Sequence, residues 1–420
     1  MGGGVGMRSA VTRLMPAAVA AVVAVSACGC GPGTVQRSAP SLSAAAFLGS
    51  IGVGVHFNYI DTAYARQAVV LARLGELGVE HIREGVPFHA PVLVRGLQGA
   101  SGLGLDATLG TSLTIPPDPG VAGGLQATRR RVDAFEGPNE LDRSGPPDWR
   151  QRLGPYLLAL RASMRARHAG VPLIGPSFVD PAHYRSVNPS SYDVVNLHPY
   201  PAGLPPEQPL SDQIRLARRL APGRPVVITE TGYHNALAAR SGQPPVSEAA
   251  AAVYLPRAFL WSFASGVERT FVYELVDEKP DPALLDPEQH FGLVRNDLSP
   301  KPAFYALRNL IRTVRHSPGA APGGAPRASV RSDQPLERVD LVRGDGSRVL
   351  ALWRPVSVWD RLHRTAVDPG TAAVTVSWPY PTRDLTVTRP SASSAPAATL
   401  GAARHIRLEL GGDVVLLSYR

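Results

Sequence analysis

The sequence predicts an α/β fold in which eight β/α units close a (β/α)8 barrel, followed by a small antiparallel β-sandwich. Apolar, strand-like runs alternate with helical stretches over residues 47–316, the pattern of β/α units around a parallel sheet. Eight such units over roughly 270 residues match the size of a TIM barrel. After a Gly/Pro/Ala stretch at residues 317–329, the helical pattern ends and only short strand-like runs remain. We therefore predict two folded domains joined by a linker.

The barrel strands are predicted from short apolar runs bounded by turn-forming residues. In chain order the candidates cover residues 50–57, 79–83, 103–109, 132–136, 172–175, 193–198, 225–230 and 269–274. The clearest helical stretches cover residues 63–75, 156–168, 248–264 and 303–314.

The second domain is predicted to span residues 330–420. Its strand candidates cover residues 339–342, 348–353, 373–378, 385–388, 405–410 and 414–419. Glycine-rich turns at residues 344–346 and 411–413 separate adjacent runs, as in β-hairpins. These features favour an antiparallel β-sandwich. For its tryptophans, Trp353, Trp359 and Trp378, packing in the core is favoured over sugar binding.

The N-terminus has the pattern of an export signal over residues 1–27. Arg8 and Arg13 precede an apolar core of about 12 residues, too short to span a bilayer. The core ends in Val-Ser-Ala-Cys, which resembles the bacterial lipobox and implies that Cys28 is lipidated. Ordinary secretion is the alternative, and a disulfide between Cys28 and Cys30 is geometrically awkward at that spacing.

The predicted location is therefore extracytoplasmic, with the protein anchored to the membrane as a lipoprotein or, alternatively, secreted. Residues 28–46 are rich in Gly, Pro, Ser and Ala and predict a flexible tether. Because the chain has only two cysteines, both in this region, disulfides do not hold the folded domains together.

The positive charge of the chain does not indicate a nucleic-acid partner. The formal net charge is +9 and the isoelectric point about 9.9, but almost all of this charge is arginine scattered along the chain. The sequence contains no basic stripe and no nucleic-acid-binding motif. We expect a monomer that contacts a membrane through the lipid.

Two glutamates end apolar runs at positions where a barrel displays catalytic groups. Glu140 closes residues 132–140 and Glu230 closes residues 224–230, each at the C-terminal end of a predicted strand. Two carboxylates facing each other across a barrel mouth are the apparatus that cleaves a glycosidic bond. Asn139 adds an amide that can bind a sugar hydroxyl. Glu136, on the same face of its strand as Glu140, is a second acid there.

Several segments together resemble glycoside hydrolase clan A, the retaining glycosidases built on a TIM barrel. Residues 135–140 (Phe-Glu-Gly-Pro-Asn-Glu) are similar to the strand-four signature of families such as 5 and 39. Further similar segments are Leu-His-Pro-Tyr at residues 197–200, Thr-Glu-Thr-Gly-Tyr at residues 229–233, Arg83 at the end of strand two, and residues 291–293 with 299–303. The resemblance covers about residues 47–314.

The resemblance implies a role for each site residue. Glu140 would be the acid/base and Glu230 the nucleophile of a double-displacement reaction. Asn139 would hold the 2-hydroxyl of the sugar. The supporting residues would be Arg83, His198 and Tyr200, which keep Glu230 ionised. Glu136 is interpreted as a structural partner of Arg83.

The chain departs from the clan at strand eight, where many members carry a tryptophan platform. Tyr273 is the candidate for stacking on the sugar there, and Glu274 and Asp277 are candidates for binding hydroxyls. The low aromatic content, 6%, favours a pocket for a short or terminal sugar.

Two other functions remain open from the sequence. One is a catalytically inactive carbohydrate-binding or structural envelope lipoprotein, a possibility that the altered strand eight raises. The other is a metal-dependent hydrolase, which fits poorly because His198 and His234 are not spaced as ligands. We therefore expect neither a metal nor a cofactor.

Overall fold

The computed structural model describes Thr34–Val35 and residues 40–420. The predicted signal peptide, Cys28 and most of the predicted tether lie outside the described residues. Among the helices of the described part, none combines the length and apolar character needed to cross a membrane.

Eight parallel strands form the barrel, and every one overlaps a predicted strand. They are hydrogen-bonded in the order β5-β4-β3-β2-β1-β8-β7-β6. A parallel bridge between Ile174 and Val194 joins β5 to β6 and closes the ring. The predicted barrel is confirmed. Its strands are β1 Ile51–Gly54, β2 His81–Gly85, β3 Asp106–Gly110, β4 Val132–Glu136, β5 Leu173–Ile174, β6 Val195–Leu197, β7 Val226–Thr231 and β8 Arg269–Val272.

Helices lie between most of the strands. Between β5 and β6 the chain instead forms two 3-10 turns, Pro181–Ser186 and Pro189–Ser191. The predicted helix after β4 starts too late, because α6 begins before Pro155 and runs through it. The helices are α1 Ala44–Leu48, α2 Gln67–Leu77, α3 Pro91–Gly102, α4 Pro117–Ala127, α5 Leu141–Ser144, α6 Trp149–Ala166, α7 Glu207–Leu220, α8 Glu248–Ala264 and α9 Pro302–Arg315.

The C-terminal strands form the predicted antiparallel sandwich. The long strand β14 joins the strands on its two sides: residues 374–377 pair with β9, residues 386–388 pair with β16, and β15 pairs with β14 between residues 372 and 387. The three tryptophans are buried, as their interpretation as core residues requires. The strands are β9 Ser329–Ser332, β10 Glu337–Val342, β11 Arg348–Trp353, β12 Trp359–Asp360, β13 Thr365–Ala366, β14 Ala372–Thr388, β15 Ala398–Leu410 and β16 Val415–Tyr419.

The N-terminal segment adds to the sandwich before the chain enters the barrel. Ser41–Ser43 is a strand that pairs in parallel with β10. Helix α1 follows directly, so residues 41–46 of the segment predicted as tether have regular secondary structure.

A buried ion pair joins the barrel to the sandwich. Arg257 on α8 is fully buried and donates two hydrogen bonds of 2.8 Å to Glu207 at the start of α7. The Trp353 indole of the sandwich donates to the same carboxylate at 2.8 Å. Arg257 also donates to the sandwich carbonyls of Val356 and Gly412. Three elements therefore meet at one carboxylate.

Removal of Glu207 should destabilise the protein strongly, because the Arg257 guanidinium would stay buried without a counter-charge. We expect Glu207→Ala to lower the free energy of unfolding by about 3–5 kcal/mol, measured by denaturant titration. The matched control is Asp118→Ala, which removes an exposed partner of Arg167 and should leave stability nearly unchanged. Equal stability of the two variants would contradict this account of the domain junction.

Candidate active site

The turn after β4 holds Asn139 and Glu140 at the barrel mouth. Glu140 has a left-handed backbone with φ of 38°, which is strained for a residue other than glycine. The buried Ser177 stabilises this turn, since its hydroxyl accepts from the Glu140 N–H at 3.0 Å and donates to Asn139 Oδ1 at 3.0 Å. The sequence gives no signal for Ser177, which lies on the loop after β5.

Arg83, in the middle of β2, contacts three site residues. Its Nε and Nη2 donate to the two oxygens of Glu136 at 2.7 and 2.9 Å, the pairing expected from the sequence. Nη1 donates to Glu230 Oε1 at 2.6 Å, and Nη2 also donates to Asn139 Oδ1 at 2.8 Å. With its oxygen held by Arg83 and Ser177, the Asn139 amide directs its NH2 group elsewhere and can donate to a ligand.

Glu230, at the end of β7, is held as a carboxylate. Tyr200 donates to its Oε2 at 2.8 Å, and His198 Nδ1 lies 3.4 Å from the same oxygen. Burial alone would raise the pKa of Glu230, but His198, Arg83 and the Tyr200 hydrogen bond outweigh it and lower the pKa from 4.5 to about 2. An ionised carboxylate at neutral pH is what a nucleophile requires.

His198 connects Glu140 to the barrel interior. Its Nδ1 lies 2.9 Å from Glu140 Oε1, and its Nε2 lies 2.9 Å from the Thr229 hydroxyl. That hydroxyl donates to Asn196 Oδ1 at 2.7 Å, so its lone pairs accept from His198 Nε2–H. Nδ1 of a neutral His198 can then accept a hydrogen bond from a protonated Glu140. The pair can thus deliver a proton through Glu140.

The two candidate catalytic carboxylates are close together. One oxygen of Glu140, one ring nitrogen of His198 and one oxygen of Glu230 all lie within 4.8 Å of one another. Such a triplet can also ligate a metal ion. The Arg83 guanidinium and the Tyr200 hydroxyl already occupy both oxygens of Glu230, however, and the positive charge of Arg83 opposes a cation there. The donor set therefore fits a metal poorly.

Six of the seven predicted site residues line one cavity of about 620 Å³. These are Arg83, Asn139, Glu140, Tyr200, Glu230 and Tyr273. The seventh, His198, lines a neighbouring cavity on the other side of Glu140. Among the residues of the first cavity that the sequence does not single out as ligand contacts are His56, Tyr59, Glu84, Gln243, Glu288 and Phe291.

Tyr273 occupies the strand-eight position at the cavity wall. Its ring packs edge-on against Phe291 at 5.4 Å and Tyr200 at 6.5 Å between centroids. The prediction that Glu274 and Asp277 bind hydroxyls is wrong. Glu274 is fully buried and accepts from the Tyr64 hydroxyl, and Asp277 forms a buried ion pair with Lys301.

Together these features define a two-domain protein: a (β/α)8 barrel with paired carboxylates at its mouth, followed by a β-sandwich. Comparison with solved structures gives the same architecture. A family 39 glycoside hydrolase from Bacteroides cellulosilyticus WH2 has a TM-score of 0.60 at 15% identity, covering 88% of this chain and 81% of that one. A monomeric β-xylosidase from Caulobacter crescentus CB15 has a TM-score of 0.58 at 14% identity, covering 91% and 98%.

A family 39 enzyme from Xanthomonas axonopodis pv. citri is similar in the same way, with a TM-score of 0.56 at 16% identity over 88% of this chain and 94% of that one. No protein-family model and no curated protein matches the sequence. At this identity the likeness establishes a shared fold, and any activity has to be argued from the site.

Tyr200→Phe should raise the pKa of Glu230, because it removes one hydrogen bond to the carboxylate and little else. The folded protein gains stability from Glu230 above its unfolded pKa near 4.5, and loses this stability as pH falls toward about 2. In Tyr200→Phe the pKa of Glu230 in the folded protein lies closer to 4.5, so this stability is lost at a higher pH than in the unmodified protein. An NMR titration of the glutamate side-chain carboxyls measures the shift. Tyr305→Phe, on α9, is the control, and an unchanged Glu230 titration in Tyr200→Phe would contradict the assignment.

Proposed function

We propose that the protein is a retaining glycoside hydrolase that acts on a glycan or glycoside outside the cytoplasm. The observation that carries the proposal is the approach of Glu140 and Glu230 to within 4.8 Å, oxygen to oxygen. Retaining glycosidases hold their carboxyl groups about 5–5.5 Å apart, whereas inverting enzymes need roughly 6.5–9.5 Å to admit a water molecule. The shared fold with family 39 hydrolases supports the same conclusion.

In the first step Glu230 attacks the anomeric carbon and Glu140 protonates the departing oxygen. Glu230 is suited to attack because Arg83 and Tyr200 keep it ionised. Glu140 is suited to this role because it lies within 4.8 Å of Glu230 in the same cavity and, when protonated, can donate to His198 Nδ1. The Asn139 NH2 group donates to a sugar hydroxyl beside the nucleophile.

In the second step Glu140 takes a proton from water, which attacks the glycosyl-Glu230 ester and releases the sugar with its original anomeric configuration. Glu140, which gave its proton to the departing oxygen in the first step, is protonated again by this water, and the ester bond breaks so that Glu230 returns to a carboxylate. His198 keeps donating Nε2–H to Thr229 throughout. Tyr273 and Phe291 offer the sugar an apolar wall in place of a tryptophan platform.

Glu140→Gln and Glu230→Gln should each lower kcat on aryl glycosides by about 10²–10⁴-fold, because each removes one carboxylate of the pair. The Glu140 variant should recover on a dinitrophenyl glycoside, whose leaving group needs no proton, when azide is supplied in place of water. Early products of the unmodified protein, observed by 1H NMR, should retain their anomeric configuration.

The control is Glu80→Gln, an exposed glutamate at the start of β2 at the opposite end of the barrel, which should leave kcat unchanged. Unaffected turnover in both pair variants, or inverted product, would rule out the mechanism. Saturable binding of glycans without turnover would instead favour the inactive carbohydrate-binding lipoprotein.

The N-terminal pattern supports a location for this activity, and we propose that Cys28 carries a lipid that anchors the protein to the cell membrane. Cys28→Ala should move the protein from the membrane fraction to the medium or the soluble fraction, and should abolish metabolic labelling with radioactive fatty acid. Cys30→Ala is the matched control. Labelling that persists in Cys28→Ala would overturn the assignment.

A further inference from the structure

A second cavity of about 1040 Å³ adjoins the first, and the β-sandwich forms part of its wall. From the barrel it is lined by the loop after β6, which includes Pro199 and Leu204, and by the first turns of α7. From the sandwich it is lined by Glu337 and Pro355. Of the residues that line only this cavity, His198 alone takes part in the proposed reaction.

The two cavities meet at the candidate acid. Glu140, Arg143, Tyr200 and Gln243 line both of them. Arg83, Asn139 and Glu230 line only the smaller one, and His198 lines only the larger. A glycosidic oxygen within reach of Glu140 therefore has the nucleophile on one side and the larger cavity on the other.

We propose that the larger cavity is a leaving-group subsite that holds further sugar residues of an oligosaccharide, with the sandwich as one wall. The inference rests on the proposed function, because it takes Glu140 as the group that protonates the scissile oxygen. The sugar that forms the ester with Glu230 occupies the smaller cavity, of about 620 Å³. The remaining sugar residues of the oligosaccharide, which form the leaving group, lie in the larger cavity.

The size of the larger cavity supports this assignment. Pockets that bury a drug-sized ligand measure about 300–1,000 Å³, so the larger cavity can take more than one sugar ring. The sequence favours a pocket for a short or terminal sugar. In this proposal that pocket is the smaller cavity alone, on the side of the scissile bond where Glu230 lies.

The lining chemistry of the larger cavity fits an uncharged sugar chain. Amide side chains at Gln213 and Gln243 can donate to and accept from hydroxyls, and Gln208, whose NH2 group donates to Asp212, can accept from one. Prolines and Leu204 supply apolar surface for the C–H faces of sugar rings.

Charges in the larger cavity are mixed in sign. Its lining includes the basic residues Arg143 and Arg215 and the acidic residues Asp212 and Glu337. Burial, with repulsion from Glu207, raises the pKa of Glu337 to about 7, which reduces the negative charge further. Neither a polyanion nor a polycation is favoured.

The test compares substrates with short and long leaving groups. Para-nitrophenyl monosaccharides first identify the sugar that is cleaved, and oligosaccharides of two to six residues ending in that sugar then probe the larger cavity. We expect kcat/KM to rise by about tenfold or more from the disaccharide to the tetrasaccharide, in keeping with added hydrogen bonds. Rates independent of length would overturn the subsite, whereas lack of turnover on every aryl glycoside would contradict the proposed function itself.

A blocking variant locates the effect in the larger cavity. Gln208 is exposed on α7 and lines the larger cavity only, so Gln208→Trp narrows it without disturbing the core. The ratio of kcat/KM on the tetrasaccharide to that on the aryl glycoside should fall about tenfold. Arg219→Trp, exposed on the same helix away from the cavity, should leave the ratio unchanged. An unchanged ratio in Gln208→Trp would place the leaving group elsewhere.

Discussion

The site depends on the guanidinium of Arg83, which is shared between the barrel scaffold and the reacting groups. Along one edge of the planar guanidinium, Nε and Nη2 form two hydrogen bonds with Glu136, a carboxylate with no solvent exposure. The remaining N–H groups contact Glu230 and Asn139. Lysine would offer one point charge, whereas arginine holds both carboxylates in fixed directions. Because Glu136 fixes the orientation of the guanidinium, the positive charge of Arg83 stays beside Glu230 and keeps it ionised. Glu230, the proposed nucleophile, and the buried Glu136 therefore belong to one network.

The barrel was predictable because its strands are buried on both faces and appear as continuous apolar runs between turns. Local exceptions escaped prediction for physical reasons. Residues 373–378 and 385–388 were predicted as separate strands, but β14 continues through Pro379 and Pro381. These prolines are exposed, and the pairing register with β15 shifts there, so their missing N–H groups interrupt no regular ladder. Sequence patterns show where a proline stands, but not whether its strand has a partner on that side.

Most of the predicted site residues share one property: they lie at or just beyond the end of a barrel strand, whereas Arg83 lies inside β2, two residues before its end. Position along the chain was therefore enough to bring Arg83, Glu140 and Glu230 together. The residues that were missed act across strands. Ser177 supports the Glu140 turn only because the loop after β5 packs beside β4, and Thr229 orients His198 only because β6 and β7 are neighbours. The side on which a residue points after its strand has ended, as for Glu274, depends on loop packing that no periodicity records.

The first turn of α7 links the arrangement of the domains to the shape of the cleft. Glu207 binds Arg257 and Trp353 in the domain junction, while the next residue, Gln208, lines the larger cavity. The same turn thus holds the sandwich in place and forms part of the wall of the larger cavity. A small shift of the sandwich would change the width of the larger cavity, yet leave the distance between Glu140 and Glu230 unchanged, because the barrel strands and the loops that follow them set that distance. In the proposed mechanism, the contacts of Arg83 support the chemistry, whereas those of Glu207 determine how far along a substrate the cleft reaches.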